Sequence, residues 1–216
     1  MKPLQKRISM SVGGVLAGGI SVALSKIAAF GVDPFQTFMA GLDSCIPISF
    51  GTLYVIANVV LLLFALVFDR HYINLATFIN LFLLGYVTQF SYAFFLKVMP
   101  EEMMIVRIVC LVIGILILCI GASLYMTADL GVSTYDAVAL IISKTWKKGQ
   151  FKYVRIATDL VCVIVGVALF LMSGGSVNKI TTIAGFGTII TAFFMGPLIE
   201  YFNVHIARPM LEKKED

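Results

Sequence analysis

The chain has 216 residues, of which 60% are hydrophobic and 13% charged, with a net charge of +4 at pH 7. A soluble domain carries about 25% charged residues, so charge this sparse between long apolar runs predicts an all-α polytopic membrane protein without a sizeable soluble domain. The positive charges lie at the ends of the apolar runs, and no basic stripe alternates with aromatic residues. This pattern argues against a nucleic-acid-binding protein.

Six transmembrane helices are predicted, each close to the roughly 20 residues that cross about 30 Å of hydrocarbon. In chain order they cover residues 9–29, 52–69, 75–95, 104–127, 153–173 and 180–201. Two shorter amphipathic helices, at about 34–46 and 134–147, follow the first span of each half. Since a dozen residues reach only about 18 Å, these helices either lie along the interface as braces or enter the membrane as re-entrant half-helices.

The two halves of the chain repeat each other at an offset of about one hundred residues. Residues 31–37 (GVDPFQT) align with 131–137 (GVSTYDA), Asn58 aligns with Asp159, and Gln89 aligns with Glu200. Because each copy contains three spans, the copies are predicted to lie upside down relative to each other, as is typical of secondary transporters. We therefore predict a single membrane domain with repeat A at about 9–97, repeat B at about 104–203, and a cytoplasmic tail at 204–216.

The distribution of lysine and arginine predicts the orientation. With the N-terminus inside, the outer segments contain only Lys97, Arg107 and Lys179. Eleven basic residues then fall on the cytoplasmic side: Lys2, Lys6, Arg7, Arg70, Lys144, Lys147, Lys148, Lys152, Arg208, Lys213 and Lys214. We therefore expect both termini in the cytoplasm.

Each short helix is preceded by a turn with a helix-stop and a helix-start signal. Gly31 and Gly131 follow the spans and can adopt the left-handed conformation that ends a helix. In the first copy, Asp33 at the N-cap, Pro34 at the first helical position and Gln36 three residues after the cap predict a capping box. If these are half-helices, the polar residues of both turns line a solute pathway: Asp33, Gln36, Ser133 and Asp136.

Polar groups within the spans are the other candidate site residues, because they are costly at membrane depth. Arg155 and Asp159 are four residues apart on one helical face and can pair. As the repeat partner of Asp159, Asn58 is expected near it, close to the pseudo-two-fold axis. The alternative is that Arg155 extends to the cytoplasmic surface and Asp159 only neutralises it. Gln89 and Glu200 are secondary candidates near the span ends.

Metal and catalytic chemistry have little support in the sequence. His71 and His205 lie in different polar segments, and the four cysteines form no C-x-x-C pair. No nucleophile, base and orienting group occur together. We therefore predict no enzyme activity, no metal site and no cofactor.

The turn signatures have a counterpart in a known family. Three further segments share this counterpart: Phe50-Gly51-Thr52, the segment from Arg155 to Asp159-Leu160, and Gly187-Thr188 followed by residues 196–200 (GPLIE). Together with the turns, they resemble the bacterial YczE/YyaS/YitT family of integral membrane proteins over residues 9–203. The resemblance implies the six-span plan and supplies no catalytic residues. The chain departs from the expected pattern at Ser133-Thr134, where a proline would match the first copy.

These observations favour a small transporter or permease-like protein for a small polar solute, with its site near Asn58, Arg155 and Asp159. A titratable Asp159 would permit proton coupling. The expected partners are the lipid bilayer and an unidentified solute, and homodimerisation is left open. Two alternatives stay open as well: a substrate-capture subunit of a multi-component importer, and a non-transporting membrane regulator or assembly factor.

Overall fold

A computed structural model describes residues 3–99, 103–149 and 151–212. For Pro3, Phe151, Lys152, Phe193 and Gly196 it describes the backbone alone. Every regular element in these ranges is helical and none is a strand. The predicted cytoplasmic positions Lys2, Lys213 and Lys214, and the end of the predicted tail, lie outside the described residues.

The helices follow the predicted order with small changes at their ends. They are α1 (Pro3–Ala28), α2 (Pro34–Cys45), α3 (Phe50–Phe68), α4 (Leu75–Val98), α5 (Met104–Thr127), α6 (Thr134–Leu140), α7 (Phe151–Met172), α8 (Ile180–Ile183), α9 (Phe186–Phe202) and α10 (Arg208–Glu212). Short 3-10 turns cover Arg70–Tyr72 and Val177–Lys179. Turns of π-helix at Ile141–Thr145 and Asn203–Ala207 extend α6 and α9, so the backbone is helical beyond residue 203.

Five helices are long and apolar enough to span a membrane within the described ranges: α1, α3, α4, α5 and α7. The prediction of one continuous sixth helix at 180–201 was wrong, because the chain is extended at Ala184 and Gly185, between α8 and α9. The sixth candidate span is instead a pair of segments, 177–192 and 197–212, that meet at 56°. Pro197 lies at the start of the second segment, where it removes a helix hydrogen bond and favours a bend.

Helix α1 lies at the centre of the bundle and packs mainly against α5 and α4. Glycines allow the close approach to α5, since a Cβ on Gly14 would lie 2.5 Å from the carbonyl oxygen of Gly121. The Ser21 hydroxyl donates to the Gly114 carbonyl at 2.7 Å on the same interface. Small residues thus allow the close packing of α1 on α5.

The turn before each short helix is held by the segment before a later helix. The turn before α2 contacts the segment around α8 and the start of α9, and the turn before α6 contacts the segment before α4. Four backbone hydrogen bonds make these contacts: Val32 N to Ile183 O at 3.2 Å, Gly187 N to Phe30 O at 2.6 Å, Val132 N to Tyr72 O at 3.2 Å, and Ala76 N to Leu130 O at 2.8 Å. These bonds fix where α2 and α6 begin.

Candidate functional site

The turn before α2 combines a left-handed glycine with a side-chain cap. Gly31 has a φ of +94°, and a Cβ at this position would lie 2.5 Å from Thr188 Oγ1, so glycine is required for both backbone and space. Asp33 accepts a hydrogen bond from the backbone N–H of Gln36 at 3.2 Å, and Pro34 begins the helix. The predicted N-cap is therefore confirmed. The reciprocal bond of a capping box is not made, because Gln36 Oε1 has no partner among the described residues.

The turn before α6 has the same form with different residues. Gly131 has a φ of +103°, and a Cβ there would lie 2.8 Å from the backbone nitrogen of Asn74. Ser133 Oγ accepts from the Asp136 N–H at 3.1 Å and donates to the Asp136 carboxylate at 2.7 Å. Ser133 is therefore the N-cap of α6.

The beginnings of α2 and α6 meet inside the bundle. The rings of Phe35 and Tyr135, each the second residue of its helix, stack with centroids 4.9 Å apart and planes 24° apart. The Thr134 hydroxyl donates to Asn58 Oδ1, and Asn58 lies at the middle of the nineteen-residue helix α3. The first residues of both short helices therefore lie beside the middle of a candidate span.

A cluster of charged residues joins α6 to α7. Arg155 pairs with Asp159 at 3.3 Å, as its spacing predicted, and it also pairs with Asp136. The guanidinium lies 4.4 Å from the centre of the Tyr135 ring, and the Tyr135 hydroxyl donates to Asp159 Oδ1. Arg155 thus reaches toward α6, and its charge is balanced by two carboxylates.

Asn58 belongs to a second, uncharged network. Its amide nitrogen donates to the Tyr54 carbonyl at 2.8 Å, and the Tyr54 hydroxyl donates to Asn80 Oδ1 at 3.3 Å. Asn58, Tyr54 and Asn80 are all buried. Adjacent residues of α6 connect this network to the charged cluster, since Thr134 bonds Asn58 and Tyr135 bonds Asp159.

Between the two networks lies a cavity of about 160 Å³. Of the seven predicted solute-binding residues, six line it: Asp33, Gln36, Asn58, Ser133, Asp136 and Arg155. Asp159 does not line the cavity, but it pairs with Arg155, which does. The wall also includes residues from the middle of α1, among them Gly14 and Gly18. We call this space the central cavity.

Two buried polar atoms of the central cavity have no hydrogen-bond partner in the described part of the chain. They are Oε1 of Gln36, a residue that is 3% exposed, and the hydroxyl of Tyr125, which is 7% exposed. An unsatisfied buried polar group costs about 1–3 kcal/mol. Two residues that line the cavity therefore each keep a buried polar atom without a partner in the described ranges.

Sequence reasoning missed part of this lining. Tyr54, Tyr125 and Tyr135 all line the cavity, yet tyrosines inside apolar runs look like ordinary core residues. One signal was available, because the offset that pairs Asn58 with Asp159 also pairs Tyr54 with Arg155. Asn80 also lines the cavity.

The secondary candidates Gln89 and Glu200 lie elsewhere. Gln89 Oε1 accepts from the Gly51 N–H at 2.9 Å and so satisfies the first turn of α3. Glu200 has an exposed side chain and contacts Asn203 and Arg208, both at 3.4 Å. Neither residue lines the central cavity.

A larger apolar groove of about 600 Å³ runs along α7 beside the central cavity. Its walls come from α2, α3, α6 and α7, and Lys148 lies at its edge. Phe35 and Tyr135 line both spaces. The stacked rings therefore form a partition between the apolar groove and the central cavity.

Comparison with known proteins gives a family match. The family of unknown function DUF6198 matches residues 5–204. Two proteins of Bacillus subtilis (strain 168) are similar: "Uncharacterized protein YyaS" is 22% identical over 200 residues, 93% of this chain and 94% of that protein, and "Uncharacterized membrane protein YczE" is 23% identical over 188 residues, 87% and 80% respectively. These matches confirm the resemblance to YyaS and YczE. No solved structure matches.

Proposed function

This chain belongs to the DUF6198 family, and because that family's description gives no activity, we propose from the site that the protein is a membrane transporter for a small polar solute. The observation that carries this proposal is the central cavity, which lies beside the middle of α3 and is lined by two residues whose buried polar atoms have no partner in the described ranges. A packed helical bundle that served only as a scaffold would gain stability by filling such a space with apolar side chains. Retaining it is more consistent with binding.

An inverted repeat of three plus three spans is the second element of the proposal. Its support is that contacts occur in exchanged pairs: a residue of repeat A contacts a residue of repeat B, and their counterparts in the other repeat contact each other in the same way. The Val32–Ile183 hydrogen bond in one turn corresponds to the Val132–Tyr72 bond in the other, and both are 3.2 Å long. Exchanged pairs of this kind are expected when a two-fold axis relates the halves.

Other pairs support the same axis. A Cβ on Gly31 would meet Thr188, and one on Gly131 would meet Thr77, which aligns with Thr188 in the repeat. Phe35 and Tyr135 also align, and they stack on each other, as equivalent residues beside an axis do. In this arrangement α2 and α6 are half-helices that begin at the central cavity and run toward opposite sides of the membrane.

The proposed orientation has both termini in the cytoplasm of a bacterial cell, with the inner membrane as the location. Its support is the distribution of lysine and arginine, since eleven fall on one side of the proposed topology and three on the other. Alternating access would then require each half-helix to move relative to the partner half, opening the cavity to one side at a time.

The proposal is tested with a thermal-shift screen of the purified protein in detergent against small cations, anions and neutral polar metabolites. A solute that stabilises the wild type is then loaded into proteoliposomes and its exchange across the membrane is measured. We expect Asn58→Ala to abolish the ligand-dependent shift, because this change removes an amide that lines the cavity and bonds Tyr54 and Thr134. Glu200→Gln is the matched control, since it alters a polar residue outside the cavity, and it should respond as the wild type does.

Two results would overturn the transporter proposal in different ways. A solute that binds but never crosses the proteoliposome membrane would favour the substrate-capture subunit. No ligand-dependent shift for any solute class, with Asn58→Ala as stable as the wild type, would favour the non-transporting regulator.

A further inference from the structure

The central cavity carries more negative than positive charge. Its lining contains the carboxylates of Asp33 and Asp136 and one guanidinium, that of Arg155. Arg155 is already paired with Asp136 and Asp159. None of the ion pairs in the described part of the chain includes Asp33. Among the charges that line the cavity, the Asp33 carboxylate is therefore the one without an ion pair to another described residue.

The N-terminus of α2 does not make the central cavity an anion-binding site. A helix N-terminus favours negative charge through its partial positive charge and its free N–H groups. Here the protein provides that negative charge itself, because Asp33 accepts from the Gln36 N–H. An incoming anion would meet the Asp33 carboxylate at the position where it would otherwise bind.

The remaining lining groups fit a cation that carries N–H donors. Oε1 of Gln36 accepts hydrogen bonds only, and it has no donor among the described residues. The rings of Tyr54 and Tyr125 also line the space, and aromatic faces attract cations. A cation with N–H groups can donate to Asp33, and to Gln36 Oε1 once that amide turns toward the cavity, while it contacts these rings.

From these observations we infer that the central cavity binds a small monovalent alkylammonium ion. This inference rests on the proposed function and specifies the substrate class of the same site. The cavity of about 160 Å³ corresponds to the liquid volume of about five water molecules. That volume suits an amine with a few carbon atoms and excludes large polyamines in a folded conformation.

The inference is tested by measuring transport currents in proteoliposomes on a solid-supported membrane. Methylammonium chloride is the probe, and tetramethylammonium chloride, which has a charge but no N–H donor, is its matched comparison. Sodium acetate and glycerol represent anionic and neutral solutes. Asp33→Asn removes the unpaired charge with almost no change in shape. Asp129→Asn removes the same charge from an exposed residue that lies outside the cavity.

We expect a saturable methylammonium current in the wild type and in Asp129→Asn, and little current with tetramethylammonium. Asp33→Asn should weaken the apparent affinity for methylammonium at least about tenfold, as expected for the loss of a charge-assisted hydrogen bond. Gln36→Met, which removes the free acceptor at similar volume, should weaken it by a smaller factor.

Failure of the inference and failure of the proposed function give different results. Currents with acetate or glycerol but not with methylammonium would overturn the inferred cation while supporting transport. If no solute gives a current, transport fails, and methylammonium binding is then measured by thermal shift. Stabilisation of the wild type but not of Asp33→Asn would retain the cation site, whereas no stabilisation would overturn it.

Discussion

Replacement of Gly31 by alanine tests whether the position of α2 depends on the turn before it. At a φ of +94°, an L-residue costs about 1–2 kcal/mol relative to glycine. The new Cβ would also lie 2.5 Å from Thr188 Oγ1, and relieving this overlap costs about 1–3 kcal/mol. Moving the turn away would also stretch the Gly187–Phe30 hydrogen bond of 2.6 Å, which is worth about 1 kcal/mol. We expect Gly31→Ala to lower the free energy of unfolding by about 3–6 kcal/mol.

The chain offers both an assay and a control for this substitution. Cys110 and Cys119 are free and buried, whereas Cys45 is free and exposed. Once the accessible thiols have been blocked, a thiol-reactive fluorescent dye reports the exposure of the two buried cysteines as the protein is heated in detergent. Gly13→Ala is the matched control, because a Cβ on Gly13 meets nothing within 4 Å. Alanine in this helix interior should leave stability unchanged or raise it by up to about 1 kcal/mol. Equal melting temperatures for Gly31→Ala and Gly13→Ala would refute the argument that the turn is sterically fixed.

Two further predictions concern the charged cluster, measured with the same dye assay. Arg155→Gln should destabilise the protein by about 3–5 kcal/mol, because it leaves two partly buried carboxylates unpaired. Adding Asp136→Asn to this variant should recover part of the lost stability. No recovery would contradict the pairing of Arg155 with Asp136. Tyr135→Phe removes the hydrogen bond to Asp159 and retains the ring, so we expect a loss of about 1 kcal/mol. The exposed Tyr153→Phe should cost nothing, and an equal loss in both variants would show that the Tyr135 bond contributes no stability.

Local sequence signals predicted the parts of the site that depend on neighbouring residues. The cap at Asp33 follows from an Asp-Pro pair after glycine, and the Arg155–Asp159 pair follows from a spacing of four residues. The pairing of Arg155 with Asp136 was not predictable in this way, because these residues are nineteen apart and meet only when α6 packs on α7. Gln36 Oε1 has no hydrogen-bond partner among the described residues. This too was not predictable, because the residues around it come from several helices.

The predicted sixth helix shows a different limit of sequence reasoning. Hydropathy remains high across residues 180–201, so the pattern favours one span. The structure is extended at Ala184 and Gly185 because this segment holds the turn before α2 through Gly187 and Ile183. A tertiary contact therefore overrides a local helical preference, and only the position of the glycines hinted at it.

The two halves use the same turn geometry but differ in charge, and this difference has a consequence for access to the cavity. Tyr54 and Asn58 on α3 form a neutral network, whereas Arg155 and Asp159, at the equivalent positions of α7, form a charged one. Tyr135 belongs to the charged side and stacks on Phe35. The partition toward the apolar groove is therefore held by a hydrogen bond at Tyr135, while Phe35 has no polar group to hold it. If the partition opens, Phe35 can move without breaking a hydrogen bond of its own, whereas movement of Tyr135 must break its bond to Asp159.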